Sequence, residues 1–285
     1  MKDYPEENIV LVIPDTQVKP GVLTDHLRWI GSYMVDHFAG AKNLTVVHLG
    51  DHWDMESLSS YDKGKKSAEG KRVKADIDAG NAGFVLLNQA LEEYNEKRRK
   101  NKEKTWYPKR RVLLRGNHED RITRACDDEA ALDGFLSLDL LKSPGWEVID
   151  YLKPVVIDGV AYAHYFYNPM NGRPYGGAAA GRLKTIGRSF TQGHQQLLDY
   201  SLRFVGEKSQ HGLVVGACYL HDENYKGWQG NAHWRGIVIK HEVKEGSYSP
   251  MFVSLDYLCR RYEGVTLGQF LRDKGYGHYS LAQNA

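Results

Sequence analysis

Five strings in this chain place oxygen and imidazole donors directly after apolar runs. They are Pro14-Asp15-Thr16-Gln17, Gly50-Asp51-His52-Trp53-Asp54 and Gly116-Asn117-His118-Glu119-Asp120, then His164 after Val160-Ala161-Tyr162-Ala163, and Gln192-Gly193-His194-Gln195-Gln196. Carboxylate and amide oxygens favour magnesium, manganese or calcium, whereas imidazole favours zinc, iron or nickel. A mixed set delivered from several strand ends can hold two divalent ions roughly 3.5–4 Å apart, with one carboxylate between them as a bridge. Such a pair binds a phosphate oxygen, acidifies a water and clamps an in-line displacement at phosphorus. Taken singly, an Asp or Asn after a strand reads as a turn former. Taken together, the five strings read as one centre, and no other arrangement in the chain offers comparable chemistry.

The elements that must carry these strings follow from apolar spacing. Asn8 to Pro14 is an unbroken apolar strand, Leu44 to Leu49 a second stopped by Gly50, and Arg111 to Leu114 a third. Between them, Leu27, Ile30, Met34, Val35 and Phe38 predict a helix over Thr24 to Phe38. Phe84, Leu86, Leu87, Leu91 and Tyr94 predict a long one from Ala75 to about Arg99. Strand, helix, strand, helix, strand argues for a mostly parallel sheet with right-handed crossovers, whose ligand site lies beyond the carboxyl ends of the strands. From about Trp146 short β-rich runs dominate: 154–157, 160–165, 189–191, 212–217, 236–241 and 250–255, with one helix around Ala178 to Ile186. The reading is a single domain over residues 1–285 in which each half supplies a sheet.

Composition bounds the rest. The chain has 285 residues, 41% hydrophobic and 26% charged, which is ordinary globular composition and long enough for a sizeable core. The 38 Lys and Arg against 36 Asp and Glu leave a net charge of +2, so any nucleic-acid surface must be local. Cys126, Cys218 and Cys259 are far apart and form no CxxC, which argues against a disulfide framework or a thiolate zinc site and for a reducing compartment. Residues 1–15 lack a long apolar run behind a basic region, and no stretch approaches the ~20 apolar residues of a transmembrane helix. A cytoplasmic protein without a membrane partner is therefore expected, with its oligomeric state open.

The strings DTQ, GDHWD, GNHE, His164 and GHQQ, in that order over residues 9–196, resemble the signature of the calcineurin-like metallophosphoesterase superfamily: DxH, GDxxD, GNH(D/E), a lone H, then GHxH. The general look is similar to phage and prophage members of that superfamily. The resemblance implies an α/β fold, a four-layer α/β-β/α sandwich with two mixed sheets. It also implies a dinuclear centre in which Asp51 bridges both ions, Asn117, His164 and His194 complete one site, and Asp15 holds the other. By the same resemblance His118 is not a ligand but reaches the scissile phosphate, as acid to the leaving oxygen or to steady charge. Glu119 and Asp54 orient the ligands. The string Leu113 to Glu119 also resembles the serine/threonine protein phosphatases, but this chain lacks their DxHG and GDxVDRG motifs.

Two departures fall together. The family usually has histidine where this chain has Gln17 and Gln196, both on the Asp15 side. Glutamine ligates only through an uncharged amide oxygen, so that site is expected to be harder and weaker. It would prefer magnesium or manganese, or fill only when substrate phosphate arrives; alternatively it stays empty and activity is lost. Zinc, iron and nickel remain open for the pair, with manganese favoured. The expected activity is a metal-dependent phosphoester hydrolase, with a phosphodiester in DNA, RNA or a nucleotide first and a phosphomonoester as the alternative. The loop with Lys63, Lys65, Lys66, Lys71, Arg72 and Lys74, together with Tyr61 and Trp53, is the candidate nucleotide grip. The run Lys97 to Lys104 is more simply a solvated helix end. Residues 171–177 read as a connector or as a substrate lid, with Arg173 or Arg182 on phosphate. His211, His221, His233 and His241 lack tight metal spacing and read as surface or core histidines.

Overall fold

In the computed structural model, which describes residues 6–61 and 63–284, the donor strings leave two sheets whose parallel strands end side by side. The first sheet contains β1 (Ile9–Ile13), β2 (Leu44–His48), β3 (Arg110–Leu114) and β4 (Glu147–Ile149), all parallel. Ile13 pairs with His48, and His48 with Leu113, so β1, β2 and β3 stop in line and release their loops at one edge. The second sheet contains β5 (Val155–Ile157), β6 (Val160–Ala163), β7 (Phe190–Gln192), β8 (Leu198–Val205) and β9 (Lys208–Val215) in the order β5-β6-β7-β9-β8. There Ala163 pairs with Gln192, and Gln192 with Val214, so His164 and Gly193-His194 leave from one edge as well.

The halves do not divide cleanly between the sheets. The last two strands, β10 (Gly236–Lys244) and β11 (Ser247–Ser254), return to the first sheet, giving the order β11-β10-β1-β2-β3-β4. β10 runs antiparallel against β1 and covers what would otherwise be its open edge. The first sheet is therefore mixed, as is the second, where β5 and β8 are antiparallel to their neighbours.

Burial explains the layering. β1 is buried on both faces, which is why its apolar run shows no alternation. Val10, Val12, Val47, Leu49, Val112 and Leu114 face Val160, Tyr162, Leu213 and Val215 of the second sheet. On the outer side Ile9, Leu11, Val46 and Leu113 pack with residues of α1 (Asp25–Phe38), α2 (Val73–Lys100), α6 (Leu255–Glu263) and α7 (Leu267–Asp273). On the far side of the second sheet, Ala179 and Leu183 of α4 (Ala179–Ile186) pack with Phe190 and Val214. The fold is thus an α/β sandwich of two mixed sheets between helices. Three further helices complete it among the described residues: α3 (Arg121–Asp128), α5 (Gly227–Asn231) and α8 (Ser280–Asn284). No helix among the described residues is long and apolar enough to cross a membrane, and the three cysteines are unpaired.

Trp53 and His52 link the loop after β2 to α2. Trp53 is 1% exposed, stacks on Phe84 at 5.5 Å and lies over Gly80, where a Cβ would overlap its indole. The preceding residue, His52, places Nε2 2.9 Å from the Gly80 carbonyl. Trp53 is therefore a core anchor and not the exposed aromatic of a nucleotide grip. Its indole is more favourably buried against α2 than exposed on the loop. Gly80→Ala should destabilise the protein by about 1–3 kcal/mol through overpacking, read as a lower denaturation midpoint at unchanged m-value.

Candidate metal centre

Glu119 builds the loop pair that carries the centre. Its carboxylate accepts backbone N–H groups from Asp51 (3.0 Å), His52 (2.7 Å), Trp53 (3.0 Å) and Gly116 (2.8 Å), joining the loops after β2 and β3. Burial and the Asp51 charge push its pKa up, while the Gly116 N–H and the nearby histidines pull it back. Asp51 sits at φ 51, in the left-handed region, with Oδ1 accepting from His118 N–H at 2.9 Å. A Cβ on Gly116 would overlap that same oxygen, so glycine is required for the approach. Gln17 (φ 38), His194 (φ 66) and Gln196 (φ 59) are left-handed too. Backbone strain of this kind, held by surrounding structure, is concentrated at functional sites.

Four of the predicted ligands meet. Asp51 Oδ2 lies 3.2 Å from His164 Nε2, and Asn117 Oδ1 lies 2.9 Å from that nitrogen and 2.7 Å from His194 Nδ1. Asp51, His164 and His194 each offer a donor atom, all within 4.8 Å of one another. His164 Nδ1–H donates to the Leu49 carbonyl at 2.8 Å, which leaves Nε2 as the ligand nitrogen. That nitrogen faces two oxygens able only to accept, and a neutral imidazole whose one N–H goes to Leu49 has nothing to give them. A divalent cation among these atoms satisfies all of them, so the residues present fit a metal ion. Without an ion, a second proton on the ring answers the same oxygens. Burial opposes charge on both Asp51 and His164, but their charged neighbours win. His118 and then His164 hold Asp51 well below the usual carboxylate range, and Asp51 lifts His164 to about 9. His194 is pushed down to about 4 by burial and by His164.

The Asp15 side is built differently. Asp15 Oδ1 accepts from His194 N–H at 3.1 Å, while Oδ2 is buried without a partner among the described residues. Burial and Asp51 raise this carboxyl to about 6, against the pull of His164. Gln17 is fully buried, with no partner for either side-chain amide atom among the described residues. Gln196 Oε1 is already taken: it accepts from the Tyr219 hydroxyl at 2.8 Å and from Lys226 Nζ. Burial lowers Lys226 to about 8, and Asp15 is its largest counter-charge.

His118 lies beside the centre, with Nδ1 2.7 Å from Asp54 Oδ1 and Nε2 3.7 Å from Asp51 Oδ2. Burial disfavours its charge, but Asp51 and Asp54 outweigh that and raise its pKa. Asp54 is further held by Lys19 at 2.9 Å and faces Arg121 at 3.6 Å.

Sequence reasoning missed Lys19, Arg121, Tyr219, Glu223 and Lys226. Lys19 Nζ bridges Asp54 and Glu223, each at 2.9 Å, and Glu223 also meets His221 at 2.8 Å. Asp54, His221 and Glu223 form a second group with metal-ligand spacing, though the Lys19 ammonium already answers its charge. The signal was present: His221-Asp222-Glu223 follows the apolar run Cys218-Tyr219-Leu220, the same rule that picked out the other strings. Lys65, Lys66 and Tyr61 are exposed on the loop after Asp54, and the basic end of α2 is exposed as well. Arg173 is exposed, whereas Arg182 is 1% exposed with no partner for either Nη among the described residues. His211 is buried and stacks on Tyr248 at 4.2 Å.

Compared with known proteins, the chain matches no protein-family model and has no significant match to a curated protein.

Two predictions follow from this geometry. Manganese should raise the melting temperature of the protein and leave that of Asp51→Asn nearly unchanged, since ion binding stabilises only a competent site. The second concerns Glu223. Burial opposes its ionisation, but His221 and Lys19 bring it to about 2 from an ordinary 4.5. A carboxyl that is more acidic when folded adds stability above its unfolded pKa, which is lost as pH falls from about 4.5 toward about 2. Glu223→Gln should remove that slope from the acid-denaturation profile and cost on the order of 3 kcal/mol near neutral pH, measured by chemical unfolding across pH.

Proposed function

We propose that the protein is a divalent-metal-dependent phosphoester hydrolase, acting first on phosphodiesters in nucleic acid or nucleotides, with manganese as the favoured ion. The observation that carries this reading is the meeting of Asp51, Asn117, His164 and His194, with His118 Nε2 3.7 Å from the Asp51 carboxylate. The order of the five strings, which resembles the calcineurin-like metallophosphoesterases, supports it.

A divalent ion held by those four residues would supply Lewis-acid polarisation of a phosphate oxygen and a lowered pKa for a water. His118 has Nδ1 committed to Asp54, so the proton it exchanges with the leaving oxygen is the one at Nε2. Arg121 Nη2, 3.3 Å from that nitrogen, adds positive charge where the phosphate gathers negative charge. Asp54 stays ionised between Lys19 and Arg121 and fixes the ring plane of His118. The two-ion form implied by the resemblance needs Asp15, Gln17 and Gln196 to ligate on the other side of Asp51. A nucleic-acid substrate is supported by the exposed Lys65, Lys66 and Tyr61 on the loop that leaves Asp54. A phosphomonoesterase is the alternative. The capture of Gln196 by Tyr219 and Lys226 favours a further reading, a metal- or nucleic-acid-binding protein of impaired activity.

The test is a metal-resolved screen on single- and double-stranded DNA, RNA and small nucleotides. Manganese-dependent cleavage abolished by chelator is expected, with bis-nitrophenyl phosphate turned over faster than nitrophenyl phosphate. His118→Ala should lower kcat about 10²–10⁴-fold. Faster monoester turnover selects the alternative substrate class, and unchanged activity in His118→Ala refutes the acid role.

A further inference from the structure

On the Asp15 side of the centre, the Gln196 oxygen that the resemblance would give to a second ion is already held by a lysine. Lys226 Nζ donates to Gln196 Oε1 and, at 3.1 Å, to the Tyr219 hydroxyl, which itself donates to Gln196 Oε1 at 2.8 Å. An ion ligated through Gln196 would have to share that oxygen with an ammonium and a hydroxyl proton, and like charge would repel it. The lysine is built in from several directions. Arg235 packs on the Tyr219 ring at 4.4 Å, and its Nη1 donates to the Tyr219 carbonyl at 3.0 Å, fixing the ring that Lys226 leans on. Asn231 clamps the turn that carries Lys226: its Oδ1 accepts from Glu223 N–H at 2.9 Å, and its Nδ2 donates to the Glu223 and Gly227 carbonyls, each at 2.9 Å. Lys19 anchors the start of that turn through the Glu223 carboxylate at 2.9 Å.

An ammonium has three N–H donors. Two are spent on Gln196 and Tyr219, and the third is available to an anion. On the same side of the centre the Gln17 amide is buried with no partner among the described residues, so its NH2 can give the same anion a further donor, while the partnerless Asp15 Oδ2 is an acceptor whose charge Lys226 offsets. We propose that this centre works with a single divalent ion, held by Asp51, Asn117, His164 and His194, and that Lys226 stands in for the second by binding a non-bridging phosphate oxygen of the substrate. The proposal rests on the hydrolase reading above, which it deepens by assigning the phosphate contact to a residue of this chain.

The experiment uses the full chain. Manganese bound per chain is counted after saturation, and the affinity of the manganese-loaded protein for inorganic phosphate is measured by calorimetry in the wild type, Lys226→Met and Lys226→Arg. One ion per chain is expected in the wild type, with phosphate binding about tenfold weaker or more in Lys226→Met and largely kept in Lys226→Arg. Two ions per chain in the wild type, or unchanged phosphate affinity in Lys226→Met, overturns the proposal. Should Lys226→Met fail to fold, Lys226→Gln, which keeps a hydrogen-bond donor and loses the charge, replaces it with the same expected loss, and unchanged phosphate affinity there overturns the proposal. If no phosphoester is cleaved under any condition, the hydrolase reading fails, while the ion count and phosphate affinity report on Lys226 independently.

Discussion

The centre depends on one buried carboxylate whose hydrogen-bond partners are all backbone N–H groups. Glu119 gathers four backbone N–H groups from two loops. Each of those donors would cost ~1–3 kcal/mol if buried unpaired. Their convergence makes the loops after β2 and β3 a single unit. Only then can Asp51 hold a left-handed backbone, press its carboxylate against Gly116 and accept the His118 N–H. Asn117, on the same turn, is thereby brought to the two histidines that come from the second sheet.

Glu119 apart, which is held by backbone N–H groups, the buried acids near the centre share a set of cations. Asp51 faces His164 and His118, Asp54 faces His118 and Lys19, and Glu223 faces Lys19 and His221. Asp15 is the exception. Among the described residues no side-chain cation pairs with it directly, and burial, with Asp51 beside it, raises its pKa to about 6. His164, lifted to about 9 by Asp51, carries the complementary message. Without an ion the imidazole takes up a proton where a ligand bond belongs, so ion binding there must release that proton and will weaken as pH falls.

Much of the fold could be read from local pattern. Uninterrupted apolar runs marked β1 and β2, helical spacing marked α1 and α2, and the alternation of the two predicted a parallel sheet with its site at the strand ends. β4 and β8 were not legible. β4 is three residues long and half-exposed, and β8 is an edge strand with mixed side chains. The return of β10 and β11 to the first sheet was invisible too, because strand pairing across more than two hundred residues leaves no local trace. Trp53 shows the same limit. Beside a basic loop it reads as an exposed aromatic, and only the gap left by Gly80 on α2 shows that it is core.

What the residues alone determined was the donor chemistry: which side chains follow strands, and that they are hard oxygens mixed with imidazoles; the resemblance added that two glutamines stand on the Asp15 side. What tertiary structure decided was which of them meet. His164 and His194 reach Asn117 because the register of the second sheet aligns β6 with β7 and the packing of the sheets brings that edge onto the first. Lys226 reaches Gln196 from thirty residues away for the same kind of reason. The type of a side chain is written where it stands, but its distance from a partner is the sum of many backbone turns and packed layers between them, and no local pattern carries that sum.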